Sequence, residues 1–116
     1  GLEADGVSRD PSVVKAYVED PLVHTGKTTA RLAAEILKAM QRFPEDSGLI
    51  ALPILLLQGG ADKLVDPEGA QMLFETVGSS DKTIKIYEGL YHEIFNEPER
   101  DQVLGHMEQW LENHLK

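Results

Sequence analysis

The chain has 116 residues, of which 41% are hydrophobic and 27% charged, a composition typical of one globular domain. Its formal net charge of −9, without a clustered basic patch, argues against binding to nucleic acids or to anionic lipid head groups and favours a neutral or apolar ligand. The absence of cysteine excludes disulfides, thiolate metal sites and cysteine nucleophiles, and no apolar run approaches the roughly 20 residues of a transmembrane helix.

Two helices and no strand are predicted in residues 1 to 48. The first residues lack the basic and apolar stretches of a signal peptide. The first helix begins at Pro11, with Asp10 as its N-cap, and ends before Pro21. The second helix runs from about Thr28 to Phe43, where apolar residues recur at helical spacing and require a partner surface. We interpret residues 44 to 48 as a loop because they combine proline, acidic residues, serine and glycine.

Residues 49 to 116 alternate predicted strands and helices. The nearly continuous apolar run from Ile50 to Leu57 predicts a strand that is buried on both faces of a parallel sheet. A helix follows, with Asp66 as its N-cap, Pro67 as its first residue and Gly78 as its stop. This order is typical of a strand followed by a crossover helix.

A second strand and a final helix complete the pattern. Apolar and polar residues alternate from Thr83 to Tyr87, which predicts a less buried strand near a sheet edge. Pro98 opens the last helix, whose apolar face should pack on the sheet; this face consists of Val103, Leu104, Met107, Leu111 and Leu115. Because these helices cannot cover both faces of a parallel sheet, we expect further strands from another segment or chain, or self-association.

One ionisable residue follows each predicted strand at its carboxyl end. Asp62 ends the turn sequence GGAD after the first strand, and His92 ends GLYH after the second. Open α/β sheets bind their ligands at this edge. An acid followed by a histidine is also the order of the last two members of the α/β-hydrolase catalytic triad. Asp62 and His92 are therefore the candidate catalytic residues.

Three stretches of sequence carry motifs of a known family. Residues 7 to 23 contain VSRDP and YVEDPLV, residues 55 to 67 read LLLQGGADKLVDP, and residues 85 to 97 read KIYEGLYHEIFNE. In this order they resemble the end of the cap, the acid loop and the histidine loop of monoacylglycerol lipase and lysophospholipase-like α/β-hydrolases. The resemblance covers nearly all of the chain.

The resemblance implies an α/β fold, namely the C-terminal part of an α/β-hydrolase with parallel strands and flanking helices, preceded by the end of a helical cap. It divides the chain into a cap remnant with a connecting helix at residues 1 to 48 and a core segment at residues 49 to 116. It makes Asp62 the triad acid and His92 the general base. The activity implied is hydrolysis of monoacylglycerols or lysophospholipids by a serine ester hydrolase, without a cofactor.

The family's Gly-x-Ser-x-Gly motif, which holds the nucleophilic serine, does not occur in this sequence. The serines that are present lie in predicted loops or at helix starts, and we assign none of them as nucleophile: Ser8, Ser12, Ser47, Ser79 and Ser80. We therefore expect the serine and the oxyanion hole in an N-terminal half outside these residues, on another segment or chain. Without that half, these residues should be inactive.

Other functional interpretations remain open at this point. The protein could be a short-chain esterase or another α/β-hydrolase, or a non-catalytic chain that folds only on pairing with a complementary half or with itself. Asp62 could be a simple turn residue, because Gly-Gly-Ala-Asp is also common turn chemistry. Asp66 is a second acid nearby, but its place before Pro67 favours an N-cap.

The residues around His92 raise two further questions, namely whether they bind a metal and what Tyr91 does. Glu93, Asn96 and Glu97 lie close to it in sequence, but their spacing is not that of a zinc site, so we predict no metal. Tyr91 either supports His92 or fills the core.

Overall fold

A computed structural model describes residues 3 to 24 and 26 to 115. The elements are helices α1 (Pro11–Glu19) and α2 (Ala30–Asp46), strand β1 (Ile54–Gly59), helix α3 (Glu68–Thr76), strand β2 (Lys82–Tyr87) and helix α4 (Arg100–His114). Short 3₁₀ turns lie at Ala4–Gly6, Ser47–Leu49 and Ile94–Asn96. The order of helices and strands is the predicted one.

The two strands pair in parallel, with Ile54 opposite Lys82 and Gly59 opposite Tyr87. Helix α3 forms the crossover between them, as parallel strands require. Within the described residues, β2 is the only strand next to β1. Most of β1 is therefore half-buried, and the prediction that its apolar run is buried on both faces is wrong for these residues.

Strand β1 begins later in the sequence than predicted. Pro53 immediately precedes Ile54, the first residue of the strand. A proline lacks the backbone N–H that a ladder position needs, so residues 50 to 53 stay outside the sheet. At the other end, the ladder continues through Gln58 to Gly59, past the predicted stop.

Helix α2 continues through Pro44 to Asp46, so the loop predicted there is wrong in its first part. A proline near the end of a helix removes a single N–H donor, and the ion pair between Arg42 and Asp46, at 2.9 Å, spans the same turn. The Ser47 hydroxyl lies 3.0 Å from the Pro44 carbonyl and 2.7 Å from the hydroxyl of Thr76 in α3. The end of α2 is thereby tied to α3.

The predicted cap of α1 is confirmed, and the start of α3 lies one residue later than predicted. Asp10 Oδ1 accepts from the backbone N–H of Ser12 at 2.8 Å and starts α1. Helix α3 begins at Glu68 with Pro67 as its N-cap, and Asp66 Oδ1, one residue before that cap, accepts from the N–H of Glu68 at 3.0 Å. Asp66 therefore supports the start of α3 through this hydrogen bond, but the prediction that it is the N-cap residue is wrong by one position.

A small core lies between the end of the sheet and α4. It consists of Tyr87, Leu90, Ile94 and Val103, with Leu57 packed against it. The Tyr87 hydroxyl lies 2.9 Å from Nδ1 of His106 in α4. Leu115 is largely exposed, and Leu104 and Leu111 are partly exposed. Helix α4 therefore packs on the sheet through only part of its predicted apolar face.

The apolar face of α2 is mostly uncovered. Its members are 41% to 65% exposed, and they are Leu32, Ile36, Leu37, Met40 and Phe43. Met40 and Phe43 border a small cleft with Gly69 and Met72 of α3, so α3 supplies only part of the partner surface that this face needs. Among residues 3 to 24 and 26 to 115, no helix combines the length and apolarity needed to cross a membrane.

Candidate active site

Asp62 lies in the acid loop (residues 60 to 66), directly after β1. Its side chain is only 2% exposed. Oδ1 accepts from the backbone N–H of Leu64 at 2.8 Å and of Val65 at 3.0 Å. Oδ2 accepts from the side-chain amide of Gln58 at 2.9 Å. These bonds hold the carboxylate in one orientation.

The environment of Asp62 favours its ionised form. Burial raises the pKa of Asp62, but hydrogen bonds from Val65, His92, Leu64 and Gln58 outweigh that effect and hold the pKa below its usual value. The group is therefore a buried carboxylate whose negative charge is stabilised by hydrogen bonds from protein donors. Such a group can accept hydrogen bonds but cannot donate them.

His92 lies in the histidine loop (residues 88 to 97), which follows β2. Its Nδ1 is 2.8 Å from Asp62 Oδ2, and its side chain is 40% exposed. Because the carboxylate only accepts, the hydrogen of this bond belongs to Nδ1. In the neutral ring the lone pair is then on Nε2, the arrangement that a general base requires.

Backbone contacts between the two loops bring these side chains together. A Cβ atom on Gly59 would lie 2.6 Å from the Leu90 carbonyl oxygen and nearer still to that of Tyr91, so only glycine fits. The N–H of Ala61 donates to the Leu90 carbonyl at 2.9 Å, and the N–H of Gly60 donates to the Tyr87 carbonyl at the end of β2. The acid and the histidine are therefore positioned by the main chain.

A cavity of about 370 Å³ opens beside the pair. It is lined by Asp62 and His92 together with Leu57, Gln58, Gly59, Val65, Glu93, Ile94, Phe95 and Asn96. A second, more apolar cavity of about 440 Å³ shares Leu57, Ile94 and Phe95 and extends along β1 toward Trp110. Both are lined by residues of β1 and by none of β2. An apolar surface therefore leads away from His92 along β1.

The polar neighbours of His92 do not converge on one point. Asn96 donates to Glu93 at 2.7 Å, whereas Glu97 is buried and pairs with Arg9. Within the part of the chain that the structure describes, no group of three or more histidine, aspartate or glutamate side chains could hold a metal ion.

Tyr91 is half-buried, and Lys63 lies over its ring, 4.3 Å from the centroid. This contact links the acid loop to the histidine loop through side chains as well as through the backbone. The ring is therefore a link between the two loops, rather than a member of the core cluster around Val103.

Sequence reasoning missed two contributions to the site. Gln58 is the first: a polar residue directly after an apolar run and four positions before an acid is a signal for a hydrogen-bond donor to that acid. The pairing of Arg9 with Glu97 joins positions 88 residues apart, and no local pattern identifies such a contact.

Comparisons with known proteins identify the family to which the chain belongs. A family model described as serine aminopeptidase, S33, matches residues 1 to 99. Monoacylglycerol lipase of Mycolicibacterium smegmatis is 43% identical over 114 residues, which make up 98% of this chain and 41% of that protein. A phospholipase of Bacillus subtilis is 38% identical over 104 residues, or 89% of this chain and 40% of that protein.

Structural comparison gives the same result. The crystal structure of Paleococcus ferrophilus monoacylglycerol lipase matches with a TM-score of 0.91 and 39% identity, over 98% of this chain and 44% of that one. The chain spans about 40% of the length of the curated relatives that it matches. The parallel strands and flanking helices confirm the predicted fold class. The chain therefore belongs to the serine aminopeptidase S33 family and has an α/β-hydrolase fold.

Proposed function

We propose that the protein acts as a serine ester hydrolase, with Asp62 as the acid and His92 as the general base of a Ser-His-Asp triad. The observation that carries this proposal is the 2.8 Å contact between His92 Nδ1 and Asp62 Oδ2 at the carboxyl ends of two parallel strands. The nucleophilic serine and the oxyanion hole are contributed by a polypeptide segment outside these residues, because the sequence contains no Gly-x-Ser-x-Gly motif.

The geometry supports a two-step acyl transfer. The serine hydroxyl attacks the ester carbonyl while His92 Nε2 takes its proton, and the imidazolium then gives that proton to the leaving alcohol. Water next attacks the acyl-serine in the same way and releases the carboxylic acid. Throughout, Asp62 holds the tautomer and stabilises the positive charge on His92. The steps require no cofactor.

We propose monoacylglycerols as the preferred substrates and lysophospholipids as the second class. A relative named monoacylglycerol lipase and one named phospholipase each match most of the chain. The cavity of about 370 Å³ beside His92 is lined in part by apolar side chains, among them Val65, Ile94 and Phe95, which suits the apolar part of an ester. A net charge of −9 favours an uncharged glycerol head group over an anionic one.

We further propose the division into a cap remnant with its connecting helix at residues 1 to 48 and a core segment at residues 49 to 116. Both strands fall in the second part. The half-buried β1 and the uncovered face of α2 are surfaces on which the serine-bearing segment would pack. Self-association through the same surfaces is the alternative.

A serine-directed fluorophosphonate probe tests the proposal in the full polypeptide that carries these residues. Mass spectrometry should find the label on a Gly-x-Ser-x-Gly serine outside the 116 residues. His92→Ala should slow both labelling and monoacylglycerol hydrolysis by about a thousand-fold or more. The control, His24→Ala, removes an exposed histidine and should change neither rate.

Three results would overturn the proposal. The first is label on a serine of these residues, because the nucleophile would then lie where we place none. The second is a His92→Ala variant with normal turnover. The third is cleavage of aminoacyl amides without cleavage of esters, which would replace the ester hydrolase with an aminopeptidase.

A further inference from the structure

The side chain of Glu97 is a charged group in the interior, with 0% of it exposed. It lies at the end of the histidine loop. Arg9 approaches it twice: the backbone N–H of Arg9 donates to Oε1 at 2.6 Å, and the guanidinium Nε donates to Oε2. The far end of the same guanidinium reaches Glu99, whose side chain is 41% exposed. Arg9 thus connects a buried carboxylate to the surface.

The charge on Glu97 depends on these contacts. Burial raises the pKa of Glu97, but hydrogen bonds from the side chain and backbone of Arg9, from the Ser8 side chain and from the backbone of Tyr91, the residue before His92, together hold it below its usual value. An isolated carboxylate in this position would be protonated, or would carry a large desolvation cost.

The segment that contains Arg9 also holds the histidine loop at other points. The N–H of Glu93 donates to the Val7 carbonyl at 2.8 Å, and the Ser8 hydroxyl donates to the Asn96 carbonyl at 3.0 Å. Val7 and Ser8 are both buried. We call residues 7 to 9 the N-terminal segment. His92 is therefore directly followed by a residue, Glu93, whose backbone N–H is held by this segment.

We infer that Arg9 and Glu97 are positioning residues that keep His92 Nδ1 within hydrogen-bond distance of Asp62 while the imidazole gains and loses a proton. The inference rests on the proposed catalytic role of His92. Neither Arg9 nor Glu97 lines the cavity beside His92. Their loss should therefore impair the chemical step, and with it kcat, while substrate affinity stays nearly unchanged.

The test compares two variants of the full polypeptide. Glu97→Gln keeps the shape of the buried side chain and removes its charge. Glu99→Gln makes the same change in an exposed partner of the same arginine. The readouts are kcat and KM for a monoacylglycerol, and the downfield proton NMR signal of the His92 Nδ1–H.

We expect Glu97→Gln to lower kcat by about 10- to 100-fold, because a displacement of about 1 Å in a catalytic group costs that much. KM should stay within about three-fold, since substrate contacts are kept. The Nδ1–H signal should broaden or disappear through faster exchange. Glu99→Gln should leave all three readouts unchanged.

A Glu97→Gln enzyme with normal kcat and a normal Nδ1–H signal would overturn the inference, as would equal losses in both variants. If Glu97→Gln does not fold, Arg9→Lys takes its place: it keeps the charge and the backbone N–H but loses the guanidinium that contacts Glu97 and Glu99 together, and it should show the same selective loss of kcat. His92→Ala is measured in parallel. Normal turnover in that variant would refute the proposed function, whereas an inactive His92→Ala with a normal Glu97→Gln refutes the positioning role alone.

Discussion

The carbonyl oxygen of Tyr91 occupies the space in which a side chain on Gly59 would begin: a Cβ atom there would lie 2.1 Å from it. The end of β1 and the histidine loop are thus in backbone contact. No rotation of a side chain can relieve the overlap, because the opposing atom belongs to the main chain.

We therefore predict that Gly59→Ala lowers the free energy of unfolding by about 2 to 4 kcal/mol, because the histidine loop must move to admit the methyl group. Urea denaturation followed by circular dichroism measures the effect. Gly105→Ala is the matched control: it lies within α4, has open space around it, and should stabilise the protein by about 0.5 to 1 kcal/mol. Equal effects of the two substitutions would contradict the close contact.

The buried carboxylate should be needed for turnover. We predict that Asp62→Asn lowers kcat by about four orders of magnitude, because the amide no longer fixes the imidazole tautomer. Asp66→Asn is the matched control in the same loop and should retain activity within about three-fold, since asparagine also caps helices well. Steady-state hydrolysis of a monoacylglycerol by the full polypeptide distinguishes the two. Similar losses in both variants would mean that the acid loop matters only for folding.

His114 should make the stability of the protein depend on pH. Its Nδ1 lies 2.7 Å from the Trp110 carbonyl and its Nε2 lies 2.9 Å from Asp81 Oδ2. Both partners accept, so the doubly protonated ring satisfies both contacts. The bond to the Trp110 carbonyl raises the pKa of His114; partial desolvation lowers it, and Asp81 raises it further, so the net shift is upward.

The raised pKa means that the folded chain holds this proton more tightly than the unfolded chain. The stabilisation that His114 contributes is complete below its pKa in the unfolded chain, about 6.5. It is lost as the pH rises through the higher pKa in the folded chain. Melting temperatures of the wild type and His114→Asn should therefore differ most in mild acid and converge in mild base. His24→Asn, at an exposed histidine, provides the control. A difference that is constant with pH would contradict the prediction.

Residues 1 to 116 should self-associate when they are produced alone, because α2 exposes Ile36 and Met40. Replacing both with glutamate should raise the monomer fraction in multi-angle light scattering. Gln41→Glu with Lys38→Glu also places two glutamates on exposed positions of the same helix and should have a smaller effect. A monodisperse wild-type monomer with cooperative unfolding would contradict the need for a covering partner.

Local patterns in the sequence predict much of this fold. Asp10 caps α1, and Asp66 supports the start of α3, because each side chain accepts from a backbone N–H two residues later. The carboxyl ends of the parallel strands bring Asp62 and His92 to one edge. The predicted end of α2 and the predicted start of β1 are wrong, and a proline is the reason in both places. Pro44 is tolerated in the final turn of the helix, and the strand begins only after Pro53. Arg9 and Glu97 could not be predicted, because their contact exists only in the folded chain.

The contact of residues 7 to 9 with the histidine loop also bears on how chimeric enzymes should be built. These residues come immediately before α1, in the part of the chain assigned to the cap, yet their hydrogen bonds go to residues 93 to 97. A foreign cap that replaces the chain from Val7 onward would remove these hydrogen bonds and leave Glu97 as a buried charge without its counterion. A foreign cap that replaces the chain only from Asp10 onward keeps them, so the histidine loop retains its hydrogen bonds to residues 7 to 9.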